Sequence, residues 1–147
     1  MVGRNKAGLP FPAALEGVSW RVYHFLSARR VNVIREWLDA ERVPSELRGK
    51  FQLQIDILEQ SGPKLVPGFI SDGPVAKDIY KAKIKGKMQL RPRLCHGPMG
   101  QFEFTFLFGA IERDKKDIPP HCNVSAQENR KILIADQTRR KRERITG

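Results

Sequence analysis

Between residues 76 and 101 the chain sets seven basic side chains, Lys77, Lys81, Lys83, Lys85, Lys87, Arg91 and Arg93, against one acid, Asp78, a local excess of +6. Cations at this density draw in polyanions and stabilise negative charge. Arg91 and Arg93 lie two residues apart, so on a strand they share a face, which suits a phosphate backbone. His96 follows on a turn. Histidine titrates near neutrality, so it is the leading candidate for a general acid or base. His121 is a weaker candidate, and His24, with apolar strand neighbours, reads as structural.

The rest of the charge is uneven. Residues 1–75 carry +2, residues 102–126 carry −1 and residues 127–147 carry +4, within a total of +11. The end of the chain, Arg139-Arg140-Lys141-Arg142-Glu143-Arg144, has almost nothing to bury and is expected to be mobile unless bound. Nucleic acid or an acidic protein is the expected partner of such charge. A basic surface kept only for solubility is the competing reading, and it weighs most for the tail.

A length of 147 residues suits one domain with a sizeable core. Two cysteines are too few for a disulfide scaffold, and no apolar run approaches the roughly 20 residues needed to span a bilayer. Pro10 and Pro12 interrupt what would have to be the apolar stretch of a leader. The expectation is a cytoplasmic protein without a membrane partner. Residues 1–18 read as a flexible arm, 19–136 as the folded domain and 137–147 as a basic tail.

The elements that must position these side chains follow from periodicity. Trp20, Val22, His24 and Leu26 alternate as in a strand. Val31, Ile34, Trp37 and Leu38 make a helical stripe over 28–39, and Leu47, Phe51, Ile55 and Leu58 make a second, with Ser45 as N-cap and Gly62-Pro63 beyond its end. Met88, Leu90 and Leu94 suggest a strand carrying Gln89, Arg91 and Arg93 on its other face. Phe102, Phe104, Phe106 and Phe108 fall at strict period two, a strand whose aromatic face packs on the two helices. Ser125 and Glu128 form a capping box for a short helix to about Asp136. The fold class is α+β: a strand, a helical hairpin packed on an antiparallel sheet, and a short C-terminal helix.

Cys95-His96 and His121-Cys122 form mirrored dipeptides, but adjacent residues diverge and do not match zinc spacing, so no metal is expected. The common nucleotide-binding and hydrolase motifs are absent, and no cofactor is expected.

The ordered set of words resembles the RelE/HigB-like toxin superfamily, in particular its phage-derived branch. The matching pieces are Trp20-Arg21-Val22, the helical hairpin, Gly62-Pro63, Gln89-Leu90-Arg91 in place of the family's Glu-Leu-Arg, and the Phe-rich strand ending in Phe108-Gly109-Ala110-Ile111-Glu112-Arg113. The resemblance covers about residues 19 to 136. It implies a metal-independent mRNA interferase acting on RNA, on the ribosome in many relatives, and silenced by a cognate antitoxin. Cleavage requires deprotonating the 2′-hydroxyl, stabilising the phosphate and protonating the leaving oxygen. Arg91 matches the family arginine, with Arg93 beside it and His96 as acid or base. Lys83, Lys85 and Lys87 precede the strand as RNA contacts, and Arg113, Lys115 and Lys116 match the basic pair after the last strand. This chain departs from its relatives in offering Phe102-Glu103-Phe104 where they carry a second arginine, and it has no C-terminal Tyr. A catalytically inactive binding module, or a phage structural or interaction protein, is therefore the alternative.

Overall fold

A computed structural model describes Phe11, Pro12 and residues 19–146. The elements run β1 (Arg21–Phe25), α1 (Val33–Ala40), α2 (Ser45–Ser61), β2 (Tyr80–Lys81), β3 (Gln89–Leu90), β4 (Arg93–His96), β5 (Glu103–Phe108), β6 (Ile111–Arg113), β7 (Lys116–Ile118), α3 (Cys122–Ala135) and β8 (Arg140–Lys141). The class is α+β, built on a five-stranded sheet in the order β2-β4-β5-β1-β8 and a three-stranded sheet in the order β3-β6-β7. The larger sheet is mixed rather than antiparallel, because β1 runs parallel to β5, with Val22 opposite Phe104 and His24 opposite Phe106. A parallel pair needs a long crossover, and α1 and α2 lie within it.

Local chemistry sets the helix ends. The Asn32 side chain accepts from the backbone N–H groups of Ile34 and Arg35 at 3.0 and 3.2 Å, so α1 starts later than the stripe implied. Pro44, rather than Ser45, precedes α2, and Gly62 ends it at φ +85°, where a side chain would be strained. The capping box does not form. The third helix begins at Cys122, which places Ser125 inside its first turn, bonded to the carbonyl of His121 at 3.0 Å.

The helical hairpin covers one face of the sheet: Ile34, Leu38, Phe51, Ile55 and Leu58 pack with Val22, Phe104 and Phe106. Phe51 meets Phe106 edge-on at 5.2 Å, and Trp20 stacks on Phe104 at 5.2 Å. The opposite face is covered too. Ala126 and Leu133 of α3 pack against Phe25, Cys95 and Leu107, and Asn129 Nδ2 donates to the Leu107 carbonyl at 2.8 Å. The Phe strand is thus buried on both faces and forms the centre of a three-layer core. Of the expected N-terminal arm, only Phe11 and Pro12 fall among the described residues; Phe11 is buried edge-on against Tyr80, His96 and Phe104.

The basic tail is ordered, contrary to expectation. Arg140 and Lys141 pair with Phe25 and His24 at the open edge of β1. Beyond them the chain alternates. Arg140, Arg142 and Arg144 meet Glu103, Glu59 and Asp56, the last two at 3.0 and 3.1 Å. On the intervening positions Glu143 accepts from Asn32 Nδ2 at 2.9 Å, and Ile145 is fully buried, its N–H donating to Gln52 Oε1 at 2.9 Å. Composition hid this because a single isoleucine supplies the apolar anchor, while the acids that receive the arginines lie far away in sequence.

Beneath this strap is a cavity of about 270 Å³ lined in part by His24, Gln52, Glu59 and Glu143. The His24 ring stacks on Phe106 at 5.7 Å, and its Nδ1 has no partner. Burial lowers its pKa to about 4, although Glu143 opposes the shift. The unfolded chain binds this proton near pH 6.5 and the folded one only near 4. Stability is therefore whole above pH 6.5 and falls progressively on acidification toward pH 4, by on the order of 3 kcal/mol from this group. Urea unfolding at a series of pH values should show that loss, and His24→Phe should flatten the curve between pH 6.5 and 4.

Candidate nucleic-acid interface

The small sheet brings two basic loops together. Ile84 bridges Leu90, Leu90 pairs with Ile111, and Ile111 pairs with Ile118, giving an aliphatic row across four chain segments. One step outward, Gln89 pairs with Glu112 and Glu112 with Asp117. A further step outward Arg113 pairs with Lys116. All these segments are antiparallel, so the turn at Lys85–Lys87 and the turn at Asp114–Lys115 close the same end of the sheet. The second is a two-residue turn with both φ values positive, Asp114 at 53° and Lys115 at 63°, the mirror-image geometry that tight hairpins favour.

Lys83, Lys85, Lys87, Arg113, Lys115 and Lys116 are all exposed. Among the described residues, ten of the eleven ion pairs use an arginine and none uses any of these six side chains. The cations at the tips outnumber the acids beside them, Asp114 in the second turn and Glu46 across the groove from the first, and are not locked to either. Arg113 and Lys116 are direct cross-strand neighbours, and like charges so placed repel. An anion between them would relieve that repulsion. Beside the first tip, a groove of about 400 Å³ runs between Lys85–Lys87 and the start of α2, where Pro44, Leu47 and Lys50 line it. Lys50 Nζ donates to the Lys85 carbonyl at 2.6 Å and adds a cation that the sequence analysis did not single out. A shallow hollow of about 600 Å³ borders the second tip, with Arg113, Lys116 and Ile118 in its wall.

The predicted catalytic residues are elsewhere. Arg91 and Arg93 do not stand on an exposed strand face: they are 5% and 1% exposed. Arg91 lies in a break between β3 and β4, its Nη1 donating to its neighbour Leu90's carbonyl at 2.8 Å and its Nη2 to Gln89 Oε1 at 3.2 Å, with Glu112 3.5 Å from Nε. Arg93 has a partner on every nitrogen: Asn123 Oδ1 at 2.7 Å, the Arg91 carbonyl at 2.6 Å and Asp117 Oδ2 at 2.8 Å. Three of its five N–H donors are used inside the fold, and at 1% exposure the group is out of reach of a phosphate in solvent. The single strand expected over 88–94 breaks at Pro92 and turns the two arginines inward.

His96 ends β4, three residues and roughly 10 Å of strand beyond Arg93. Its Nε2 is bonded to the Gln101 carbonyl, and its ring sits among Phe11, Trp20 and Phe104. It is not brought together with the basic tips. His121 is exposed just before α3, 6.2 Å from the Phe108 ring. Cys95 and Cys122 are buried; burial pushes the Cys95 thiol up to about 12 and raises that of Cys122. Such thiols stay protonated and make poor nucleophiles. Among the described residues no three His, Cys, Asp or Glu side chains gather where they could hold a metal ion, and no helix is long and apolar enough to cross a membrane.

The arrangement therefore separates two kinds of cation, inward arginines that hold the framework and outward lysines, with Arg113, that meet solvent. Arg93→Ala should cost about 2–4 kcal/mol in a urea titration, because it empties a fully buried site and takes the donor from the Arg91 carbonyl and Asn123 Oδ1, whereas Lys85→Ala should stay within about 0.5 kcal/mol of the parent. No family model, curated protein or solved structure matches the chain.

Proposed function

We propose that this chain is a toxin-type RNA-binding protein that grips phosphates with the paired tips at Lys85–Lys87 and Arg113–Lys116. The observation that carries the reading is the gathering of five exposed cations, Lys85, Lys87, Arg113, Lys115 and Lys116, against the single acid Asp114 at one end of the small sheet, from segments distant in sequence. That charge selects a polyanion, and the resemblance to RelE/HigB-like toxins selects RNA among polyanions. An antitoxin that silenced the protein by covering these tips would have to be acidic where it meets them.

Of the two forms the resemblance allows, the binding module is favoured over the endoribonuclease. Arg91, Arg93 and His96, the residues to which the resemblance gives the cleavage step, are committed to internal partners.

The test is an RNA titration across a salt series with a short single-stranded oligonucleotide, and with a DNA duplex of equal length as comparison. Log K for RNA should fall linearly with log[salt], and each tip lysine or arginine replaced by alanine should lower the slope by about 0.7. Equal loss of affinity without a change of slope would exclude these side chains as phosphate contacts, and preference for the duplex would overturn RNA as the ligand. Inducible expression should arrest growth, and the Lys85→Ala/Lys87→Ala variant should relieve the arrest. RNA incubated with and without ribosomes should remain intact, and cleavage would restore the endoribonuclease form.

A further inference from the structure

Glu112 and Asp117 face each other across β6 and β7. Two carboxylates in that relation repel, and on an isolated hairpin they would weaken the pairing one step behind its tip. Here each meets a guanidinium from the residues flanking Pro92: Arg91 Nε lies 3.5 Å from Glu112 Oε1, and Arg93 Nη2 lies 2.8 Å from Asp117 Oδ2. Arg93 also bonds Asn123 at the start of α3, and its Nη1 returns to the Arg91 carbonyl, which links the two arginines. Both arginine side chains are almost fully buried, while the two carboxylate side chains are about one third exposed, at 35% and 36%.

We infer that Arg91 and Arg93 are positioning residues: through Glu112 and Asp117 they hold the β6–β7 hairpin so that Arg113, Lys115 and Lys116 stand beside Lys85 and Lys87. The inference rests on the RNA-binding reading for what the tips contact, but the hairpin's order can be measured without RNA. The four charges cancel one another, so the network adds no net charge to the surface it organises. Its contribution is geometric, and a purely electrostatic account and a positional account predict opposite signs for one substitution.

That substitution is Glu112→Gln with Asp117→Asn. It removes two negative charges from beside the phosphate surface and leaves every surface cation in place. If the carboxylates acted only through charge, RNA would bind more tightly. If they position the hairpin, binding weakens although the protein is more basic, and the salt slope drops by up to about two units as the contacts of Arg113, Lys115 and Lys116 are lost. Unchanged or tighter binding overturns the inference. Hydrogen exchange supplies the second readout: the amides of residues 111–118 should exchange faster in the variant while those of β1 and β5 keep their protection. Unaltered protection over 111–118 also overturns it. Should the double variant fail to fold, Glu112→Gln alone, at the longer of the two ion pairs, carries the same comparison. A parent protein that shows no salt-dependent RNA binding defeats the RNA reading and leaves the hydrogen-exchange comparison to decide the positioning.

Discussion

Two guanidiniums held out of water impose the strictest constraint on this fold. A buried charge without a partner costs several kcal/mol, so Arg91 and Arg93 can sit where they do only if carboxylates and carbonyls come to them. Asp117, Glu112, Asn123 and the Arg91 carbonyl meet that demand from three elements, β6, β7 and the start of α3, together with the break after β3. The same contacts join the small sheet to the large one through the run Arg91-Pro92-Arg93. Apolar packing assembles the layers, but it has no preference for how a polar hairpin should stand. Directional, charge-assisted hydrogen bonds from Arg93 supply that preference, and Arg91 adds an ion pair with Glu112 at 3.5 Å without a hydrogen bond from its Nε.

Much of the framework was legible in the residues. The period-two phenylalanines, the two helical stripes and the Gly62 break correspond to β5, α1, α2 and the end of α2, because each depends on a local rule that the sequence displays directly. What periodicity could not display was the second cover. A strand that is apolar on alternate positions reads as half-buried, and only α3, packed on Leu107 from the other side, shows that Thr105 and Leu107 are also interior. The parallel pairing of β1 with β5 is hidden as well, since it joins residues 82 positions apart, such as Val22 and Phe104.

The candidate site was legible as charge and misjudged as chemistry. Arginine and lysine count equally in a charge tally, yet this segment uses them differently: the planar, forked guanidiniums of Arg91 and Arg93 fill several acceptors at once and go inside, whereas the compact, strongly hydrated ammoniums of Lys85 and Lys87 stay in water. Arg91 and Arg93 therefore looked like the head of a site and are its framework. Lys85 and Lys87 looked like accessories and stand at its front. The family pattern strengthened the first assignment, since it marks a position without marking which way the side chain faces.

The alternation in the strap, three arginines on one side and Glu143 with Ile145 on the other, bears on how the whole molecule behaves in solution. Three of the tail's arginines are matched by Glu103, Glu59 and Asp56, while the cations of the hairpin tips enter no ion pair among the described residues and outnumber Asp114 there. Five tip cations against the one acid Asp114 thus place +4 of the net +11 at a single end of the small sheet, a local excess that a uniform shell would not have. In the field of a polyanion such a body experiences a torque as well as a pull, so it turns its uncompensated end forward while still approaching. The ordered tail, far from lending its charge to binding, sharpens that orientation by cancelling the charge that would blur it.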